Sequence, residues 1–197
     1  MGDTNTKNGS TSTAGAAEGE NAGERRFVIQ HHDASNEHWD FRLEHRGSLL
    51  SWAVPKGPSA DPDDKRLAVR TEDHSLDYAD FEGVIPDGEY GGGSVIVWDT
   101  GTWRPIQTDD GDAEADVTIN EALEAGHLSF EIDGEKLRGG YVLQQFGDED
   151  DQWLLIKEDD ADADARRNPT STQRESVLSS RTVDDMDDID DTDGEQQ

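Results

Sequence analysis

Strict alternation of polar and apolar residues from His38 to Leu43 predicts an extended strand with two unlike faces. Trp39, Phe41 and Leu43 make one face apolar and fit for a core, while His38, Asp40 and Arg42 line up on the other. Short strand-like runs recur at Phe27–His31, Leu49–Val54, Arg66–Thr71, Ser94–Thr100, Gly101–Pro105, His127–Ile132, Gly140–Gln145 and Trp153–Lys157. Residue types that favour turns bound most of them. Gly47-Ser48 and Gly111-Asp112 mark turns, and Asp133-Gly134 joins two runs as a hairpin would. Thr118–Gly126 is the one short helix that the pattern predicts, closed by a glycine. Many closely spaced strands without strand–helix alternation predict a mainly β chain, a barrel or sandwich rather than an α/β sheet.

The 197 residues leave room for one domain of ordinary size plus tails. Residues 1–24 hold almost nothing apolar beyond alanine. Residues 161–197 are acidic, with Pro169 and only isolated Val177, Leu178, Val183, Met186 and Ile189. Both termini are predicted to be disordered, which confines the folded domain to about residues 25–160. The lack of cysteine excludes disulfides and thiolate metal sites and points to a reducing cytoplasm. No apolar run is long enough to span a bilayer, so no membrane is expected as a partner. A net charge of -30, from 47 acidic and 17 basic residues, argues at first sight against nucleic acid. The acidity is concentrated after residue 108, however, and the alternating region is nearer balance. An aspartate-rich surface with only five lysines suits a halophilic, high-salt cytoplasm; the alternative is an acidic interaction tail.

The polar face of the first strand carries candidate chemistry. His32, one short loop earlier, can fold back beside His38 and Asp40, and two imidazoles with a carboxylate suit a divalent transition metal. Arg42 adds the usual partner of a phosphate or carboxylate. In Lys65–His74, strict alternation puts Arg66, Arg70, Glu72 and His74 on one face and Leu67, Val69 and Thr71 on the other. Lys56 lies between Pro55 and Pro58, which stiffen the backbone around it. The set amounts to a cationic cup in an anionic protein. A salt-bridged polar sheet face explains the same spacing, which leaves both readings open. His31, His45 and His127 read as structural or solvated, and Arg46 and Arg70 as surface charges. The glycine-rich stretch Glu82–Gly93 lacks the Lys-Ser/Thr ending of a P-loop, so its glycines read as backbone requirements.

Taken together, these blocks resemble the 3′-phosphoesterase family, found at the N-terminus of bacterial DNA ligase D and as stand-alone proteins in some bacteria and archaea. The likeness runs through Phe27–Ser35, His38–Glu44, Ser51–Pro58, Lys65–Val69, Glu72–His74, Asp77-Tyr78 and Phe81–Gly91, and closes with Val97–Asp99, Gly101–Trp103 and Trp153–Lys157. It implies a compact single-domain β-barrel with the site in a crevice on one side. It implies that His32, His38 and Asp40 bind manganese or a similar divalent ion. Arg42, Lys56, Arg66 and His74 would contact the scissile phosphate, with Tyr78 also in the active site and Gln30 and Glu72 supporting it. The implied activity heals 3′ ends of DNA or RNA in end-joining repair. A phosphodiesterase step removes a terminal ribonucleoside, and a phosphomonoesterase step then leaves a 3′-OH.

Ligase-linked members carry an upstream Arg-Asp-Phe stretch and a Thr-x-Glu-Pro segment, and residues 1–24 show neither. The resemblance therefore carries the monoesterase step further than the diesterase step. Its partners would be 3′ ends of a primer–template and a DNA ligase or polymerase acting in trans, with the chain itself a monomer. Two other readings compete. A non-haem iron oxygenase would use His38, Asp40 and a distant His74 as its triad. A non-catalytic module would bind DNA ends or dock a ligase without needing a metal.

Overall fold

In the computed structural model, residues 25–86, 88, 91–106 and 119–190 are described, the last four of these without side-chain detail. The predicted runs account for eight of the nine strands described, β5 being the one that the pattern does not predict: β1 (Arg25–Asp33), β2 (His38–His45), β3 (Ser48–Val54), β4 (Lys65–Ser75), β5 (Gly83–Ile85), β6 (Gly93–Pro105), β7 (His127–Gly134), β8 (Arg138–Gln145) and β9 (Gln152–Lys157). All pairings are antiparallel. The order β1-β2-β3-β4-β9-β8-β7-β6 closes through β1–β6 into an eight-stranded barrel, and β5 adds to the free edge of β6. The fold is the mainly β barrel that the resemblance implies. No described helix is long and apolar enough to cross a membrane.

Alternation decides what fills the barrel. Trp39, Phe41 and Leu43 of β2 join Trp52, Trp98, Trp103, Phe130 and Tyr141 in one buried cluster. Arg46 and Gly47, at φ 49° and 79°, form the two-residue turn between β2 and β3, where His45 pairs with Ser48. The two runs expected on either side of Thr100-Gly101 are one continuous β6. The β7–β8 turn falls just past Asp133-Gly134, since Asp133 pairs with Arg138. Helix α1 (Ile119–Glu124) occupies most of the predicted helix, whereas the Gly111-Asp112 turn lies outside the described residues.

Composition misleads for the segment after residue 160. Residues 161–190 are packed on the barrel rather than disordered, with two short helices, α2 (Pro169–Thr172) and α3 (Val183–Asp190). The Trp98 indole N–H donates to the Gln173 carbonyl at 2.6 Å, and the Val177 N–H to that of Val97 at 3.0 Å. Val183 and Met186 cover Ile96. Val177 completes a second outer cluster of Val28, Leu49, Ala79 and Val97. Val177, Val183 and Met186 land on outer faces of β1, β3 or β6 that would otherwise be wet, whereas Leu178 stays exposed. An average over an acidic stretch hides such sparse but well-placed contacts.

Asp99 ties the β7–β8 turn to β6. Its fully buried carboxylate accepts the N–H groups of Thr100, Glu135, Lys136 and Leu137 at 2.9–3.1 Å. Burial pushes this carboxyl up to about 6 against the pull of those donors. The folded state then keeps a proton that the unfolded chain has released, so this group's contribution to stability falls as pH rises from about 4 to about 6. Asp99→Asn should remove that slope in urea titrations run across the window. Asp99→Ala should cost about 2–3 kcal/mol, because buried N–H groups lose their acceptor.

Candidate metal centre and adjoining crevice

The hairpin of β1 and β2 builds the centre. His32 pairs across it with His38, and Gln30 with Asp40, so His32, His38 and Asp40 meet at one end of the strand pair. The His32 Nδ1 lies 3.5 Å, and the His38 Nε2 3.6 Å, from the same Asp40 oxygen. One ligand atom from each of the three falls within 4.8 Å of the others. The buried His32 Nε2 has no hydrogen-bond partner among the described residues. Two imidazoles and a carboxylate at this separation, one ring nitrogen left orphaned, fit a divalent ion of borderline softness. Burial raises the Asp40 carboxyl, but His32, His38 and Arg42 outweigh it and hold the group well below the usual range. For His38, burial pulls the ring down and Asp40 more than restores it, leaving it above its ordinary value.

Arg42 joins this centre to the rest of the crevice. Buried to 2 % exposure, its guanidinium donates from Nε to Gln30 at 2.8 Å and from Nη1 to the Ser51 hydroxyl at 2.7 Å. Nη2 lies 3.2 Å from Asp40, and the guanidinium sits 5.1 Å over the Tyr78 ring. Gln30 in turn donates its amide to the Tyr78 and Phe81 carbonyls, holding the 3-10 helix Leu76–Asp80 that carries Tyr78. Nη1 is also 2.9 Å from the His74 Nδ1, which lies 2.8 Å from the Glu72 carbonyl. A bare Nδ1 accepts from Arg42, whereas a protonated one donates to Glu72; one nitrogen cannot do both. Burial lowers the His74 ring's proton affinity and the nearby Arg42 charge lowers it further, favouring the neutral ring.

One irregularity puts His74 there. Leu49 pairs with His74 but Ser51 pairs with Thr71, so β4 carries one extra residue between them. The bulge reverses the alternation, and the face predicted to unite Arg66, Arg70 and His74 is split. His74 and Thr71 line the crevice with His32, His38, Asp40, Arg42 and Tyr78. Arg70 lies instead over the Trp52 ring at 4.7 Å and is no simple surface charge. Lys56 and Arg66 line a neighbouring recess with Trp39. The Glu72 side chain is exposed, and only its carbonyl touches His74. His74 also stands outside the donor cluster, so the His38–Asp40–His74 triad does not assemble. Pattern alone missed Ser51, whose hydroxyl anchors Arg42 from the adjacent strand.

The class so defined is an antiparallel β-barrel with a candidate two-histidine, one-carboxylate metal centre beside a buried arginine. Residues 30–145 match the model of the DNA ligase D 3′-phosphoesterase domain, and the chain belongs to that family. It is 51% identical over 162 residues, 80% of its length, to the multifunctional non-homologous end joining protein LigD of Pseudomonas aeruginosa. To the proteins of the same name from Mycobacterium bovis and Mycolicibacterium smegmatis it is 43% and 40% identical, over 65% and 61% of its length. The chain spans only 18%, 15% and 15% of these three relatives.

The geometry sets an expectation for metal binding. Titration calorimetry with manganese should show a single site, and Asp40→Asn should weaken it by at least about 100-fold with an unchanged circular dichroism spectrum. An unaltered affinity would remove Asp40 from the ligand set.

Proposed function

We propose that the chain is a metal-dependent 3′-phosphoesterase acting on nucleic-acid ends in end-joining repair. The observation that carries this reading is the contact of the His32–His38–Asp40 cluster with Arg42 and, through it, His74. The bare donor set would serve an oxygenase equally well. A buried cation held against it, with a neutral imidazole alongside, suits a phosphate. The family match and the shared end-joining relatives support the same choice.

A manganese or similar ion on His32, His38 and Asp40 would polarise a phosphoryl oxygen and supply an activated water. The chain's own groups then have separate tasks. Arg42, fixed by Gln30, Ser51 and Asp40, meets the charge that gathers on the phosphoryl oxygens without having to reorganise. His74, neutral and with Nδ1 turned to Arg42, keeps Nε2–H as a donor to a phosphoryl or leaving oxygen. Burial raises the Tyr78 phenol, which stays protonated and offers a second donor. Lys56 and Arg66, from the adjoining recess, add positive charge along the path of the strand. A terminal ribonucleoside would be removed first and the resulting 3′-phosphate second. A ligase or polymerase would then take over the 3′-OH.

The test is phosphate release from two primer–templates, one ending in a single ribonucleotide and one in a 3′-phosphate, with manganese and in high-salt buffer. His38→Ala and Asp40→Ala should each abolish both steps with the fold retained. Undiminished manganese-dependent release by either purified variant would overturn the metal assignment. No release by the unaltered chain would favour a docking module. Arg42→Lys should lower turnover by about 100-fold, since an ammonium cannot reproduce the planar fork.

A further inference from the structure

The segment that composition predicts to be disordered forms one wall of a recess of about 470 Å³ beside the metal centre. Lys56 and Arg66 reach it from the barrel and Arg174 from the C-terminal segment, three cations in a chain of net charge -30. Glu37 is the single acid among the lining residues, and it faces His31 at 2.7 Å. Arg174 lies 3.7 Å from Glu37 and 4.0 Å from Asp184, with 44% of its side chain exposed. Ion pairs that long and that exposed are worth little, so Arg174 is available to a better partner. Lys56 has no hydrogen bond or ion pair among the described residues, though its charge acts on Asp64. That carboxylate pairs with the Arg66 Nη2 at 2.6 Å, which leaves the buried Nε of Arg66 unpartnered among the described residues.

The wall is tightly seated. Gly57, next to Lys56, has φ +68°, and a Cβ there would come within 2.5 Å of the Thr170 methyl and 2.9 Å of the Trp39 ring. Pro169 is buried beside this contact. The Lys56 loop is thus clamped between α2 and the strand that bears the metal ligands. The two openings also share that stretch of chain: His38 and Asp40 line the crevice, Glu37 and Trp39 the recess. A strand with its terminal phosphate in the crevice would reach the recess across the chain at residues 37–40.

We propose that this recess binds an internal phosphodiester of the strand whose 3′ end lies in the crevice, and that Arg174 is the group through which the C-terminal segment holds it. The inference rests on the function proposed above. An arginine fork trades its long contacts to Glu37 and Asp184 for a charge-assisted pair with phosphate oxygens. The segment then acts as part of the substrate surface and not only as a cover for the barrel.

The test is fluorescence-anisotropy binding of a single-stranded oligonucleotide with a 3′-phosphate, in chelator so that no hydrolysis occurs, over a series of salt concentrations. Arg174→Gln should weaken binding about 3- to 10-fold and reduce the slope of log K against log salt by about 0.7, one phosphate contact on a single strand. Arg174→Lys should retain the slope. Arg104→Gln, at an exposed position paired with Glu131, makes the same charge change elsewhere and should alter neither quantity. Circular dichroism checks that each variant is folded. An unchanged slope in Arg174→Gln, or an equal loss in Arg104→Gln, overturns the proposal. An Arg174-dependent slope in a chain without phosphate release would overturn the proposed activity and leave the recess standing.

Discussion

A buried guanidinium is the constraint around which this protein is arranged. Taking Arg42 out of water is tolerable only because Asp40, Gln30 and Ser51 occupy its donors. Each of those partners has a second task. Asp40 belongs to the candidate metal cluster, Gln30 holds the 3-10 helix, and the Ser51 hydroxyl donates to the Leu49 carbonyl of its own strand. The need to satisfy one charge therefore couples the metal centre, Tyr78 and His74 into a single arrangement. That coupling makes the crevice rigid before any substrate arrives, which is the condition for electrostatic stabilisation without reorganisation.

The barrel supplies the frame, but its outer face is not left to solvent. β6 is buried on both faces from Ser94 to Asp99 because the C-terminal segment covers the outside. The same covering segment carries Arg174 to the recess next to the metal centre. A chain of strongly negative charge can bring a phosphate strand close only where its few cations converge. Here they converge from the barrel and from the segment together.

Much of the site was legible because strand alternation is a local rule. The His38–Leu43 pattern set the polar face and the core face without any tertiary information, and put His38 and Asp40 together as candidate metal ligands. Three things were not legible. The extra residue in β4 leaves no mark in the pattern of Arg70–His74, yet it moves His74 to the opposite face. Ser51 looked like an ordinary polar strand residue until β3 was paired with β2. The packed tail had one signal, the unbroken apolar run Val95–Trp98, which requires cover on both sides of its strand.

By itself, the sequence determined a β chain, a strand face that groups His38, Asp40 and Arg42, and the family to which the chain belongs. These depend on residue type and period-two spacing, which act between near neighbours. Only the tertiary structure decided which cations share the crevice, which stand in the next recess, and that residues 161–190 cover the barrel's outer face. Those outcomes depend on pairing register, a bulge and long-range burial, where a shift of one residue reverses the face a side chain presents.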